Sequence, residues 1–188
     1  MIAMNSFAQF ITMTHTGVGS GTFGSAAFAN AAFTITGVGD TANRYSFFGG
    51  YSIENISATI SIAGVGDFLL TSGTRTFVNN DLGIVGFSRA GSSSSDLFNG
   101  PTTPALNSWD MLSSIGPLTG PGQLLQWTSF PVTTSGGTLI FENANLSATF
   151  QATLVPEPAS GMLVLGGALY CLLFRVAPKP RKPTLKSA

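Results

Sequence analysis

Along most of the chain, apolar residues alternate with small polar ones, which is the period-two pattern of strands that bury one face. The clearest example is residues 146–154, where Leu146, Ala148 and Phe150 are separated by serine, threonine and glutamine. Residues 56–62 repeat the pattern, with isoleucine and alanine on the apolar side. Because β-branched and aromatic residues fill these segments, they favour a pleated sheet over a helix.

The same composition predicts further strands, separated by glycine, asparagine and aspartate. These strands are expected at residues 7–14, 26–36, 68–71, 74–78, 83–87, 124–130 and 138–141. A strand followed by Gly-Val-Gly-Asp occurs at 33–40 and again at 60–67, which indicates repeated strand-turn chemistry rather than a solenoid. The sequence therefore predicts an all-β body, residues 1–154, folded as an antiparallel β-sandwich or jelly roll.

One long segment between the predicted strands, residues 100–122, is rich in glycine and proline and is expected to be a loop. Within it, residues 109–115 are expected to form a short helical turn or a plug over an open end of the body. Asn107 or Ser108 would cap that turn. Trp109 is predicted to be an aromatic side chain at the edge of the core, and a sugar-stacking platform is the alternative.

The alternating pattern stops before Val155, and an apolar run begins at residue 159. The 17 uncharged residues 158–174 would form a helix of about 26 Å, against a hydrocarbon core of about 30 Å. The sequence therefore predicts one transmembrane helix over residues 159–177 and a basic tail over 178–188. A short apolar helix buried in a soluble domain is the alternative, although the glycines in the run would weaken a helix in water.

Charge is divided unevenly along the chain, although the net charge is zero. All eight acidic residues precede the apolar run, and only three arginines accompany them, so the body is net −5. An acidic body is not suited to neutralising phosphates, which argues against nucleic-acid binding. The membrane-stop basic residues are Arg175, Lys179, Arg181 and Lys182. They predict a cytoplasmic tail near anionic lipid and an extracytoplasmic body.

A short linker, Val155, Pro156, Glu157 and Pro158, separates the body from the apolar run. Together with the run and the basic tail, it resembles the PEP-CTERM sorting signal of Gram-negative bacterial surface proteins. This resemblance implies recognition and cleavage near the Pro-Glu-Pro by exosortase, a membrane-embedded protease. It also implies an inner-membrane intermediate, a final location at the cell surface or outside the cell, and exopolysaccharide as a candidate partner. The cations of this tail are more dispersed than is usual in the family.

Export also requires an N-terminal signal, and residues 1–6 lack the basic and apolar regions of one. We therefore expect the true start of the protein to lie upstream of Met1. A gene product that is never exported is the alternative.

Catalytic chemistry has few candidates in this sequence. His15 is the only histidine, and we expect it to be a polar residue at a strand edge. Cys171, the only cysteine, lies in the apolar run, where burial disfavours the thiolate. A glycosidase needs a pair of carboxylates, and the candidates are Asp40, Glu54, Asp67 and Glu142. Their spacing in the sequence does not single out any pair. We expect a non-enzymatic protein without a cofactor or metal site, and the alternative is a tethered module that binds carbohydrate or calcium.

Overall fold

A computed structural model describes residues 9–91 and 95–155. The described residues form twelve strands, joined by turns and by two single-turn 3-10 helices at Thr41–Asn43 and Pro104–Leu106. The strands are β1 Phe10–Phe23, β2 Ala26–Asp40, β3 Tyr45–Phe47, β4 Gly50–Ile62, β5 Gly66–Leu69, β6 Thr74–Asn79, β7 Ile84–Arg89, β8 Asp96–Thr102, β9 Ile115–Leu124, β10 Val132–Thr134, β11 Gly137–Phe141 and β12 Ala144–Val155. The prediction of an all-β, antiparallel body is confirmed.

The sheet closes on itself as an eight-stranded barrel instead of forming the two packed sheets of a sandwich. The order is β1, β12, β9, β8, β7, β6, β4 and β2, and β2 pairs again with β1. The short strands β3 and β5 flank β4, and the β10–β11 hairpin flanks the far end of β1. The sheet closes because β1 pairs with β12 on one side and with β2 on the other.

Side chains fill the barrel interior, as expected for eight strands. One part of the core gathers Phe33, Phe98 and Phe141 around Trp127, which lies in the loop between β9 and β10. The other part gathers Ile11, Met13 and similar residues around Trp109 and Met111, which lie in the loop between β8 and β9. Each end of the barrel is therefore closed by a loop that inserts a tryptophan.

The expected plug at residues 109–115 is confirmed in its role but not in its form. Trp109 and Met111 are buried, and Trp109 packs edge-on against Phe150. The helical turn lies earlier, at Pro104–Leu106, and Asn107 ends it instead of starting one. Trp109 is held at the barrel end by its own Nε1–H, which donates to the Ser113 carbonyl at 2.9 Å.

Several strand predictions differ from the structure. Residues 124–130 were expected to be a strand, but only Leu124 is in β9, and the following turn buries Trp127. The Gly-Val-Gly-Asp at 37–40 continues β2 with a register shift, whereas the copy at 64–67 turns into β5. The last three residues of β8 and most of β9 lie in the glycine- and proline-rich segment 100–122, which was expected to be a loop.

The division of the chain after Val155 marks the end of the described body. Among residues 9–91 and 95–155, no helix is long and apolar enough to cross a membrane. The predicted transmembrane helix, 159–177, and the predicted basic tail, 178–188, lie outside the described residues.

Candidate functional site

The predicted sorting motif begins where the last strand of the barrel ends. Val155 is the final residue of β12, pairs with Phe10 of β1 and is partly exposed. Pro156, Glu157 and Pro158 lie outside the described residues, as do Arg175, Lys179, Arg181 and Lys182. The structure thus places one residue of the predicted site, at an exposed end of the seam between β1 and β12.

His15 is not the strand-edge residue expected from the sequence. It lies in the middle of β1, is fully buried inside the barrel, and contacts the rings of Phe87, Phe98 and Phe150. Neither ring nitrogen makes a well-formed hydrogen bond. Burial lowers the pKa of His15 from 6.5 to about 3, and the backbone of Gly100 opposes this shift. His15 is therefore a neutral core residue at pH 7, closed off from any substrate.

Trp109, considered as a sugar platform, is already covered, and so is the ring of Tyr51. Trp109 is buried in the plug, and the guanidinium of Arg44 lies 4.4 Å from the ring centroid of Tyr51. The same guanidinium forms an ion pair with Asp110 at 3.4 Å and donates a hydrogen bond to the Asp110 carbonyl at 2.8 Å. Arg44 thus fastens the plug loop to the barrel wall, which is a structural role.

The structure shows a local role for Asp40, one of the acidic residues considered for catalysis. Asp40 caps the 3-10 helix after β2, with its carboxylate accepting a hydrogen bond from the Ala42 amide at 2.8 Å. Within the part of the chain that the structure describes, no three His, Cys, Asp or Glu side chains could hold one metal ion.

A pocket that sequence reasoning missed lies on the outside of the barrel wall, and we call it the outer-wall pocket. Its volume is about 340 Å³, near the lower end of the range for small-molecule sites. It is lined by Tyr45, Phe47, Ser52, Arg75, Phe77, Asn79 and Asp96. These residues come from β3, β4, β6 and β8, so they are remote in sequence and show no common motif.

Strand register explains why these residues meet. Ser52 of β4 is directly opposite Tyr45 of β3 on one side and Phe77 of β6 on the other. Directly opposed residues of antiparallel strands point to the same face. That face is the one opposite Ile53 and Val78, which fill the barrel interior. The three side chains therefore form one row across the outer wall.

Phe77 lies flat against the wall because the next position in the row is glycine. Gly86 of β7 is opposite Phe77, and a Cβ added there would collide with the Phe77 ring. Phe47 packs edge-on to Phe77, with ring centroids 6.4 Å apart. The pocket thus has an aromatic floor and an aromatic rim, and the rim residues Tyr45 and Phe47 are exposed.

Two polar groups of the pocket are buried without a hydrogen-bond partner. They are the Ser52 hydroxyl and the Arg75 Nε, and Ser52 is fully buried. Arg75 is held in place by its Nη1, which donates to the Tyr45 hydroxyl at 2.7 Å. Across the pocket, Asp96 accepts a hydrogen bond from the Ser88 hydroxyl at 2.8 Å. Because buried polar groups are usually paired in proteins, these two groups retain hydrogen-bonding capacity that no other part of the described protein uses.

Comparison with protein-family models finds no match for this chain, and neither do comparisons with curated proteins and with solved structures.

Proposed function

We propose that this chain is an exported, non-enzymatic bacterial protein of the cell surface or extracellular matrix, sorted by a C-terminal PEP-CTERM signal that exosortase cleaves. The proposal rests first on the order of Pro156-Glu157-Pro158, the apolar run and the basic tail in the sequence. The body is the part that is exported, and the segment after it is the sorting signal and the temporary membrane anchor.

The structural observation that supports this division is the position of the last strand. β12 runs to Val155 and completes the barrel by pairing with β1 and β9. A cut at residues 156–158 would therefore remove no strand of the described body. The exposed end of β12 would let a membrane-bound protease approach the motif without first unfolding the barrel.

The split of charge supports the orientation. The basic residues from Arg175 onward would stop translocation and remain at the anionic inner leaflet, while the acidic body stays outside. In this proposal, the processing partner is exosortase and the transit location is the inner membrane. After release, the body is expected to associate with exopolysaccharide.

The test is expression of the gene, with its upstream codons, in host strains with and without exosortase. Intact mass spectrometry of the body should show a cut near residue 157 in the first strain and none in the second. Glu157→Ala should reduce cleavage strongly. Glu142→Ala, which changes an exposed glutamate before β12, should leave cleavage unchanged.

Full-length chain in both strains would overturn the proposal. Equal cleavage of wild type and Glu157→Ala would also count against recognition through the Pro-Glu-Pro, and would point to a protease that reads another feature.

A further inference from the structure

We propose that the outer-wall pocket binds a neutral sugar ring, as one hexose unit of a glycan. The inference concerns the barrel body and does not depend on the sorting signal. It rests on the shape of the pocket, on its two unpartnered polar groups and on its charge balance.

The aromatic surfaces match one side of such a ligand. A pyranose ring presents an apolar C–H face and an edge of hydroxyl groups. Phe77 on the floor and Phe47 on the rim meet edge-on, with centroids 6.4 Å apart and planes inclined at 71°, so together they form an apolar aromatic corner. Aromatic rings provide large contact area with little loss of side-chain entropy, which suits a small rigid ligand.

The polar groups match the other side. Ser52 supplies a hydroxyl that can donate or accept, and Arg75 supplies an N–H that has no partner in the protein. Neighbouring sugar hydroxyls both donate and accept, so they can satisfy the two groups together. A purely apolar ligand would satisfy neither group, so it would gain no hydrogen bond from them and should bind more weakly than a ligand that does.

The charges select a neutral ligand. Arg75 is the single cation among the residues that line the pocket, and Asp96 is the single anion. Glu54 lies beside Arg75 in the β4–β6 register and adds a second negative charge nearby. A phosphate or a carboxylate entering the pocket would be attracted by Arg75 but repelled by these two carboxylates, whereas a neutral polyol would meet no such penalty.

The experiment is a binding titration on the full-length chain, held in a detergent that has no sugar headgroup. The probes are the methyl pyranosides of glucose, galactose and mannose, with glucuronate and inorganic phosphate as charged comparisons. At least one neutral hexoside should bind saturably with a dissociation constant on the order of 1 mM. Glucuronate and phosphate should bind more weakly.

Three variants separate ligand binding from folding. Ser52→Ala should weaken the hexoside about three- to tenfold, the value of one hydrogen bond, while the unfolding midpoint is unchanged or higher because an unpartnered hydroxyl is removed. Phe47→Ala should abolish measurable binding. Phe10→Ala removes an exposed aromatic side chain from β1, outside the pocket, and should leave binding intact.

Three results would overturn the proposal: no saturable binding of any neutral hexoside, tighter binding of glucuronate or phosphate, or an equal loss in Phe10→Ala and Phe47→Ala. Cleavage by exosortase is measured at residues 156–158 by mass spectrometry, whereas sugar binding is measured on the barrel by titration. Either proposal can therefore fail while the other stands.

Discussion

The imidazole of His15 lies 4.8 Å from the ring of Phe150, measured between ring centroids, and the two residues are directly opposed in the register of β1 and β12. An ionisable side chain therefore lies within the pairing that joins the first strand of the barrel to the last. Its neighbours on the other sides are the rings of Phe87 and Phe98. None of these rings can compensate a buried positive charge fully, so protonation of His15 opposes folding.

This burial predicts that stability falls with pH below neutrality. Unfolded His15 binds a proton near its usual pKa of 6.5, whereas the folded form does so only near a pKa of about 3. Between these values the unfolded state holds more protons, so the free energy of unfolding should fall by up to about 1.4 kcal/mol per pH unit as pH decreases. Urea unfolding followed by circular dichroism at pH 7, 6 and 5 measures this slope.

His15→Leu should remove that slope and raise the stability at pH 7. Leucine has a similar size and no polar atoms, so two poorly satisfied ring nitrogens are replaced by apolar contacts. The expected gain in unfolding free energy is about 1–3 kcal/mol. An identical pH slope in the variant and the wild type between pH 6.5 and 5 would contradict the assignment of the effect to His15.

Trp109→Ala should open one end of the barrel. The indole fills the space above Ile11, Met13 and Phe150, and its loss leaves a cavity in the core. The unfolding free energy should drop by about 3–5 kcal/mol. The control is Leu112→Ala in the same loop, where the side chain is 40% exposed and the change should stay within about 0.5 kcal/mol. Similar losses in both variants would show that Trp109 is not the plug.

Asn80→Asp should weaken the attachment of the plug loop to the barrel. The Asn80 Nδ2 donates to the carbonyl of Leu106 at 2.6 Å and to that of Trp109 at 2.9 Å. A carboxylate there would place negative oxygens against two carbonyl oxygens, so the unfolding free energy should fall by about 1–3 kcal/mol at pH 7. Part of the loss should be recovered near pH 4, where the carboxyl group is protonated and can donate once. A loss that is the same at both pH values would contradict this explanation.

A chain that ends after residue 155 should fold as stably as the full-length body. All twelve described strands lie before that point, so none of the described pairings is lost. A chain that ends after residue 143 lacks β12, which leaves β1 and β9 without their common neighbour, and it should not fold. Thermal unfolding by circular dichroism distinguishes the two, and a cooperative transition in the shorter chain would contradict the closed barrel.

Sequence reasoning found the strands whose alternation is regular. β12 and β4 were predicted because every second side chain from 146 to 154 and from 56 to 62 is apolar. β9 was missed because Pro117 and Pro121 were interpreted as turn residues. The structure tolerates them because β9 pairs with β8 only at Phe98–Leu124 and Asn99–Gln123, so most of that side of the strand has no ladder to break.

Two features could not be predicted from the alternation: the closure of the sheet and the outer-wall pocket. Period-two alternation states which face of a strand is buried, but not which strands are neighbours. The pairing of β1 with β12 joins residues about 140 positions apart. Likewise, Ser52 and Phe77 face the outer wall on the polar side of their strands, and only the register across β3, β4 and β6 brings them beneath Tyr45.

The pairing of Phe10 with Val155 also determines how the body responds to mechanical load. Since β1 and β12 are antiparallel neighbours, the start of β1 and the end of β12 lie side by side. Tension applied between them acts across the ladder and opens its hydrogen bonds one pair at a time, as in a zipper. Tension between Val155 and a ligand held at the outer-wall pocket would instead be shared by several strands of the wall. A body gripped in that way would resist shear better than one stretched by its own two termini.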